Sequence, residues 1–486
     1  MQRSIRRLAS LLLLSFVAIS VGLTYWQVVR SDELVYGPYN ARLVDEGKEI
    51  LRGQMLDRNG RVLVSSERTP NGIVRRYTDP TMSLVTGYYS DSYGATGLEY
   101  SFSRYLRGDV QSNPVDALAG QMLHRTPVGD DLRLTLDSKI QSVATQEMGS
   151  DRGAIVAMDP RTGAILAMVS TPYFDPNKVD TEMDRIQNDP GKPLYNRATQ
   201  GLYTPGSVFK IVTATAAIDL GLVDLDKKYQ CTEDLVVDGF RIANKNHLGI
   251  ATVTYVDDFA YSCNATFAKT GLGLDTNPLP VGDNLPNPVP WTKGVGESEK
   301  RFLDYARRFG LEAPFPFDIP TSVSSVGSQS LSPVELANTA FGQGKLLVTP
   351  LLMATSAATV ANGGKMPQPY LVAEIRDHDG KLIESRSPAP VRQVMTPESA
   401  ASMNRLMMAS VQEGYAKPAA ITGIQVGGKT GSAEVGPGQK THSWFIGYAP
   451  ADNPTVAVAV IMENKGPGSD FATPAGRKVM EAALGR

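Results

Sequence analysis

YTPGSVFKIVTA, residues 203–214, contains the only Ser-x-x-Lys of the chain, Ser207 and Lys210. Residues three apart on a helix share a face. A serine hydroxyl attacks an amide only when something removes its proton, and a lysine does so only as the neutral amine. The pairing therefore predicts acyl transfer through a serine ester. Thr204 is placed to cap, Pro205 suits the first helical position and apolar residues follow, which predicts a buried helix from near 204 to 219 with Ser207 in its first turn. Free N–H groups and the positive helix end would favour an alkoxide there and disfavour an ammonium at Lys210. Taken alone, the spacing also suits a solvated serine and lysine on an ordinary helix, so other motifs must decide.

Two further motifs follow in order, Ser262-Cys263-Asn264 and Lys429-Thr430-Gly431, the latter continued by Ser432. One group of serine acyl-transfer sites uses this order. Ser262 offers a proton relay between Lys210 and a leaving amine, and Asn264 an amide for the substrate's acyl chain. Lys429, Thr430 and Ser432 suit a carboxylate on an edge strand, where Gly427 and Gly428 are expected to let a ligand backbone approach. The backbone N–H groups of Ser207 and Ser432 are the expected oxyanion hole. Each later motif has a decoy. Lys269-Thr270-Gly271 lies five residues after Asn264, at an expected helix end with Gly271 as C-cap. Ser402-Met403-Asn404 falls in an amphipathic helix and reads as a surface turn.

The chain has 486 residues and a formal net charge of −2. That allows two or three domains and gives no hint of nucleic acid. Arg3, Arg6 and Arg7 precede an uncharged apolar run from Leu8 to Val29, long enough at roughly 33 Å to cross a bilayer. Tyr25 and Trp26 read as interfacial anchors, and the arginines predict a cytoplasmic N-terminus with the remainder outside the membrane. A cleavable signal peptide with Ala18 and Ser20 at its cleavage site is the competing reading. Cys231 and Cys263 are the only cysteines. An oxidising location permits them to bridge, and two small buried hydrophobes that never meet are the alternative. His124, His247, His378 and His442 are scattered, so no metal cluster is expected. His442 and Ser443 are adjacent and would point to opposite faces of a strand, which argues against a Ser-His-Asp hydrolase.

Residues 1–30 read as cytoplasmic N-terminus and anchor, 31–126 as a small strand-rich domain and 127–486 as the catalytic segment. In the second, Asn59-Gly60 predicts a tight hairpin turn. In the third, GAIVAMDPRTGAILAMVS predicts two strands, LSPVELANTAFGQG a helix opened by Ser332-Pro333, and residues 396–413 an amphipathic helix. IQVGGKTGSAE, HSWFIGYAP and PTVAVAVIMEN then predict three more strands. Strands at both ends with helices between them predict an α+β layer whose terminal strands share one sheet. The Pro- and Gly-rich stretch 275–296 lacks either period and reads as a loop or insertion, one that either borders the cleft or decorates the surface.

The motif order, together with NRATQGLYTPGSVFK, YSCNATFA, GQGKLLVTP and GKTGSAE followed by HSWFIGYAP, resembles the transpeptidase domain of penicillin-binding proteins. RGQMLDRNGRVLVSS and GATGLEYSFSRYLRG are similar to the class B, monofunctional branch, and the compact N-terminal region to the penicillin-binding protein A type of actinobacteria. Only 275–296 falls outside the resemblance, and Ser432 stands where threonine is commoner. The resemblance implies a penicillin-binding, serine β-lactamase-like fold, an antiparallel sheet flanked by helices, behind a non-catalytic pedestal or dimerisation domain. It implies a D,D-transpeptidase that crosslinks peptidoglycan. The terminal D-Ala-D-Ala of a stem peptide would acylate Ser207, and an amine of a neighbouring stem would resolve the ester. β-Lactams would acylate the same serine, no metal or cofactor is expected, and a membrane glycosyltransferase of the shape, elongation, division and sporulation family is the implied partner. Three rivals remain. A serine β-lactamase needs a water-activating glutamate between the second and third motifs, and Glu335, with Asn338, reads instead as part of a helix. A D,D-carboxypeptidase differs only in resolving the ester with water, and a β-lactam sensor or scaffold would keep the fold without turnover. Trp444, after the third motif, packs either under the cleft or in the core.

Overall fold

The runs 153–158 and 165–171 are apolar or small at nearly every position, the pattern of strands covered on both faces. In the computed structural model, which describes residues 2–30, 50–70, 72–110, 128–232, 234–244, 251–274, 296–328 and 330–486, they are buried throughout. The five strands β1 (Gly153–Met158), β2 (Ile165–Thr171), β3 (Gly427–Ala433), β4 (His442–Ala449) and β5 (Val456–Met462) form one antiparallel sheet. Its order is β3-β4-β5-β1-β2, so early and late strands meet at the β5–β1 pairing, as the sequence predicts. Successive residues part to opposite faces. Ile155 and Ala157 join the core under helices Ser138–Met148 and Ala472–Ala483, whereas Ala154, Val156 and Met158 face the core of helix Pro350–Ala361. Each fully buried Val, Ile or Leu contributes about 1.5–3 kcal/mol. The two cores make this sheet the frame on which the site is mounted.

A second sheet has six strands in the order Leu382–Ser385, Val372–Arg376, Asp131–Leu134, Met55–Leu56, Val62–Thr69 and Gly72–Tyr77. Met55 pairs in parallel with Leu132, so strands from either side of the expected 126/127 boundary share this sheet. The expected hairpin turn is present. Gly60 takes φ +86° and Asp57 Oδ1 accepts from the backbone of Asn59 and Arg61. Of the insertion 275–296, all but Gly296 lies outside the described residues.

Glu99 is fully buried in the N-terminal region between Arg52 at 2.9 Å and Arg75 at 2.7 Å, and also accepts from Tyr77 Oη. Burial pushes its carboxyl up, but Arg75 and Arg52 outweigh burial and hold it below its ordinary 4.5. The contribution is therefore present above that pH and is lost as pH falls through the folded value. Glu99→Ala leaves two buried guanidinium groups without a counter-charge. We expect it to cost about 3–5 kcal/mol in urea unfolding; a loss below about 1 kcal/mol would mean the cluster is solvated.

The N-terminal apolar run is a helix, Gln2–Thr24, continued by a π-helical turn Tyr25–Val29. Ile5–Val29 has a mean hydropathy of 2.1 and buries none of its residues in the protein, which suits a membrane span.

Candidate active site

Ser207 does not lie on the α-helix that the sequence predicts. Residues Gly206–Phe209 form a 3-10 turn and the α-helix begins with it complete, at Lys210–Asp219. Pro205 is the cap residue, no side chain caps the turn, and the Thr204 carbonyl accepts from Trp444 Nε1 at 3.0 Å. The reason is packing. Gly206 has φ +58°, and a Cβ there would meet the backbone of Ser432 and Ala433 at 3.2 Å. A Cβ on Gly431 would press on the Pro205 carbonyl at 2.8 Å. Glycines on both sides thus let the Ser207 turn lie directly on β3.

Ser207, Ser262, Asn264, Thr430, Gly431 and Ser432 line one open cleft of about 530 Å³. Beneath it Lys210 is fully buried, and its Nζ lies 2.7 Å from the Ser262 carbonyl, 2.9 Å from Ser262 Oγ and 2.8 Å from Asn264 Oδ1. Burial, and then the charge of Lys429, push this amine well below its ordinary 10.5, with Asp258 opposing. A neutral amine has two N–H bonds and one lone pair. The Ser262 carbonyl and Asn264 Oδ1 can only accept, so they take both N–H bonds and leave the lone pair to a hydroxyl. The first two motifs are therefore one hydrogen-bonded unit.

Ser262 is held at φ +63°, a left-handed conformation that costs about 1–2 kcal/mol for a side-chain-bearing residue. Its N–H reaches Phe259 O at 3.1 Å and that of Cys263 reaches Asp258 O at 2.8 Å. Cys263 is also bridged to Cys231, so the cysteines pair and pin the middle residue of the second motif. Asn244 Oδ1 accepts from the Asn264 N–H at 3.0 Å, while its Nδ2 bonds Thr232 O and contacts Cys231 Sγ. No sequence pattern marks Asn244, because its role exists only once the bridge brings residues 231, 244 and 264 together. Cys231, Asp258 and Cys263 place three donor atoms within 4.8 Å, but sulfurs joined to each other offer no thiolate.

Lys429 is buried over the Phe259 ring, and burial pushes its amine down to about 7. The glycines before it do not serve a ligand. Gly427 and Gly428 are buried, and a Cβ on them would strike the rings of Tyr448 at 2.6 Å and Phe445 at 2.8 Å. They admit aromatic rings of β4. Ser432 Oγ accepts from the Gly468 N–H at 3.1 Å. Trp444 is fully buried and serves both expectations, as a core residue that also holds the turn carrying Ser207. His442 accepts at Nδ1 from the Asn464 N–H, whereas Ser443 Oγ donates to Pro467 O and accepts from the Ala472 N–H. This serine and histidine are not paired.

Glu335 sits in the first turn of helix Pro333–Ala340, exchanging capping bonds with Ser332 and pairing with Lys345 at 3.0 Å. Lys345 and the Ser332 bonds hold its carboxyl down at about 2. Asn338 of the same helix lines the cleft. Of the decoys, Lys269-Thr270-Gly271 is helical, and the cap is Gly273. Gly271 is small because a Cβ there would lie 2.4 Å from the Cβ of Ala340. Asn404 is no surface turn, since it accepts from Tyr448 Oη at 2.9 Å and donates to Ala451 O.

Asp258 is buried behind the second motif. Its Oδ2 accepts from Thr266 Oγ1 at 3.0 Å, and its Oδ1 has no partner among the described residues. Burial pushes this carboxyl up to about 8. A carboxyl with a raised folded pKa binds its proton more tightly in the native state, so stability falls as pH rises from about 4 to 8. Asp258→Asn removes that loss. We expect thermal unfolding to show the variant gaining on the parent across this range, by up to about 5 kcal/mol at its upper end. A pH-independent difference would show that Asp258 is hydrated.

Residues 153–481 match the penicillin binding protein transpeptidase domain family, and residues 52–132 the penicillin binding protein A dimerisation domain family. The chain is 33% identical to the peptidoglycan D,D-transpeptidase PbpA of Mycolicibacterium smegmatis, covering 100% of this chain and 99% of that one. It is 32% identical to PbpA of Mycobacterium tuberculosis over 100% and 99% of the two chains. A ceftriaxone acyl-enzyme structure of penicillin-binding protein A from M. tuberculosis superposes with a TM-score of 0.80 at 31% identity, covering 91% of this chain and 100% of that one. With the three motifs gathered on one cleft and both halves matched, the chain belongs to the penicillin-binding protein transpeptidases.

Proposed function

We propose that this protein is a peptidoglycan D,D-transpeptidase that works through an ester on Ser207 and is acylated there by β-lactams. The observation that carries the reading is the buried Lys210, favoured as a neutral amine and hydrogen-bonded to the second motif beneath the cleft that Ser207 lines. Ser207 Oγ attacks the carbonyl of the penultimate D-alanine as Lys210 takes its proton. Ser262 passes a proton to the leaving nitrogen of the terminal D-alanine, and the C–N bond breaks. The amine of a neighbouring stem then attacks the ester and releases Ser207. Asn264 orients the acyl chain, Lys429, Thr430 and Ser432 hold the terminal carboxylate, with Gly431 keeping the strand close, and the N–H groups of Ser207 and Ser432 receive the oxyanion. The likeness to β-lactam acyl-enzymes of M. tuberculosis penicillin-binding protein A supports a serine ester that survives. Glu335, occupied by Ser332 and Lys345, is a poor water-activating base, which disfavours a β-lactamase.

The apolar N-terminal helix serves as a single-pass anchor with a cytoplasmic N-terminus, residues 31–126 as a non-catalytic pedestal, and 127–486 as the transpeptidase domain outside the membrane. A membrane glycosyltransferase of the shape, elongation, division and sporulation family supplies the glycan. The test is intact-mass analysis of the full chain in detergent with penicillin, then with a D-Ala-D-Ala ester mimic and an acceptor amine. We expect a persistent penicilloyl adduct and a crosslinked product. Rapid loss of the adduct would make the protein a β-lactamase, and hydrolysis without acceptor use a carboxypeptidase.

A further inference from the structure

Away from the cleft, a groove of about 420 Å³ lies between residues 83–100 and the segment 194–200. Small-ligand sites span roughly 300–1,000 Å³. None of the described residues lining this groove is charged. Two lining aromatics, Tyr88 and Phe174, meet edge to face at 5.9 Å, and a third, Tyr100, is 38% exposed. Ser83 and Thr199 also line it, and among the described residues their buried hydroxyls have no hydrogen-bond partner. Leaving a buried hydroxyl unpaired costs about 1–3 kcal/mol. A turn about χ1 re-aims such a group toward a new acceptor.

These features select a ligand chemistry. A charged ligand would lose its hydration and find no counter-charge, and a purely apolar one would leave both hydroxyls unpaired. A neutral ring with an apolar face for the aromatics and hydroxyl or amide groups at its edge satisfies all of them, and that is a sugar. We infer that the groove is a glycan-binding site for one or two N-acetylated sugar units of the substrate polymer. The choice of an N-acetylated sugar rests on the transpeptidase reading, whose stem peptides hang from such a glycan. The same wall leads along the chain into Tyr203 and Thr204, next to the turn that carries Ser207. Asn196 Nδ2 ties it to the other wall through the Leu84 carbonyl at 2.8 Å.

The test is titration of the full chain, in a sugar-free detergent, with chitotetraose followed by saturation-transfer NMR. Saturable binding is expected, unchanged after Ser207 is acylated by penicillin. Thr199→Val and Ser83→Ala are each expected to weaken it about tenfold, with the penicillin acylation rate unaltered. No saturable binding, binding lost on acylation, or binding indifferent to both variants and to Tyr100→Ala would each overturn the site. Uptake of an apolar dye without any sugar would make the groove a protein-docking face and overturn it too. Sugar binding in a protein that penicillin fails to acylate would instead defeat the transpeptidase reading alone.

Discussion

Ser207→Ala is expected to abolish covalent labelling by fluorescent penicillin while the protein keeps its melting temperature. The hydroxyl is half-buried, and among the described residues it forms no side-chain hydrogen bond, so its removal should change stability by no more than about 0.5 kcal/mol. Removing a nucleophile costs on the order of 10⁶ in rate, which on a labelling gel is a complete loss. The neighbouring hydroxyls give a control. Among the described residues the Ser262 hydroxyl bonds only Lys210 Nζ, and Ser432 Oγ is taken by the Gly468 N–H, so neither should become an alternative acylation site. Labelling that survived in Ser207→Ala would place the nucleophile elsewhere.

Lys210→Met should slow acylation by about 10²–10⁴ without unfolding the protein. Two opposed terms keep the fold intact. The variant no longer buries an amine that burial holds neutral, but the Ser262 carbonyl and Asn264 Oδ1 lose their donors. Because only the neutral amine takes the Ser207 proton, the parent's acylation rate should fall as pH drops through the folded pKa of Lys210. That pKa lies well below the ordinary 10.5, so the limb falls on the acid side of it and the rate is level above. The variant should lack the limb that Lys210 creates. A Lys210→Met protein with parental acylation and the same pH profile would show that another group is the base.

Which parts of this were legible beforehand follows the range of the interactions. Strands β1, β2 and β5 are readable because each is a short run of apolar and small residues that is buried throughout. The three motifs were readable because their order along the chain is local information, and the decoys were rejected on the same ground. Local reading fails where a distant partner intervenes. Thr204 was expected to cap a helix, yet its carbonyl is bonded to Trp444, 240 residues away. Gly427 and Gly428 were expected to open the strand to a ligand, but rings of Tyr448 and Phe445 fill that space. Gly271 was expected to end a helix, and instead it lets two helices touch at Ala340.

The sequence by itself pointed to the proposed chemistry, since Ser207, Lys210, Ser262, Asn264 and the Lys429–Ser432 run are residue types in an order that few reactions require. It also determined the sheet, because burial on both faces leaves a compositional trace. Tertiary structure alone decided how the lysine is held. The lone pair of Lys210 is directed by two acceptors 52 and 54 residues further on, fixed by a disulfide and by Asn244. It also decided that Cys231 and Cys263 pair, that Ser207 sits in a 3-10 turn on β3, and that a groove with two unpaired hydroxyls separates residues 83–100 from 194–200. The physical reason is that hydrogen-bond direction and desolvation depend on which distant groups arrive at the same place, and spacing along a chain carries that information only within a few residues.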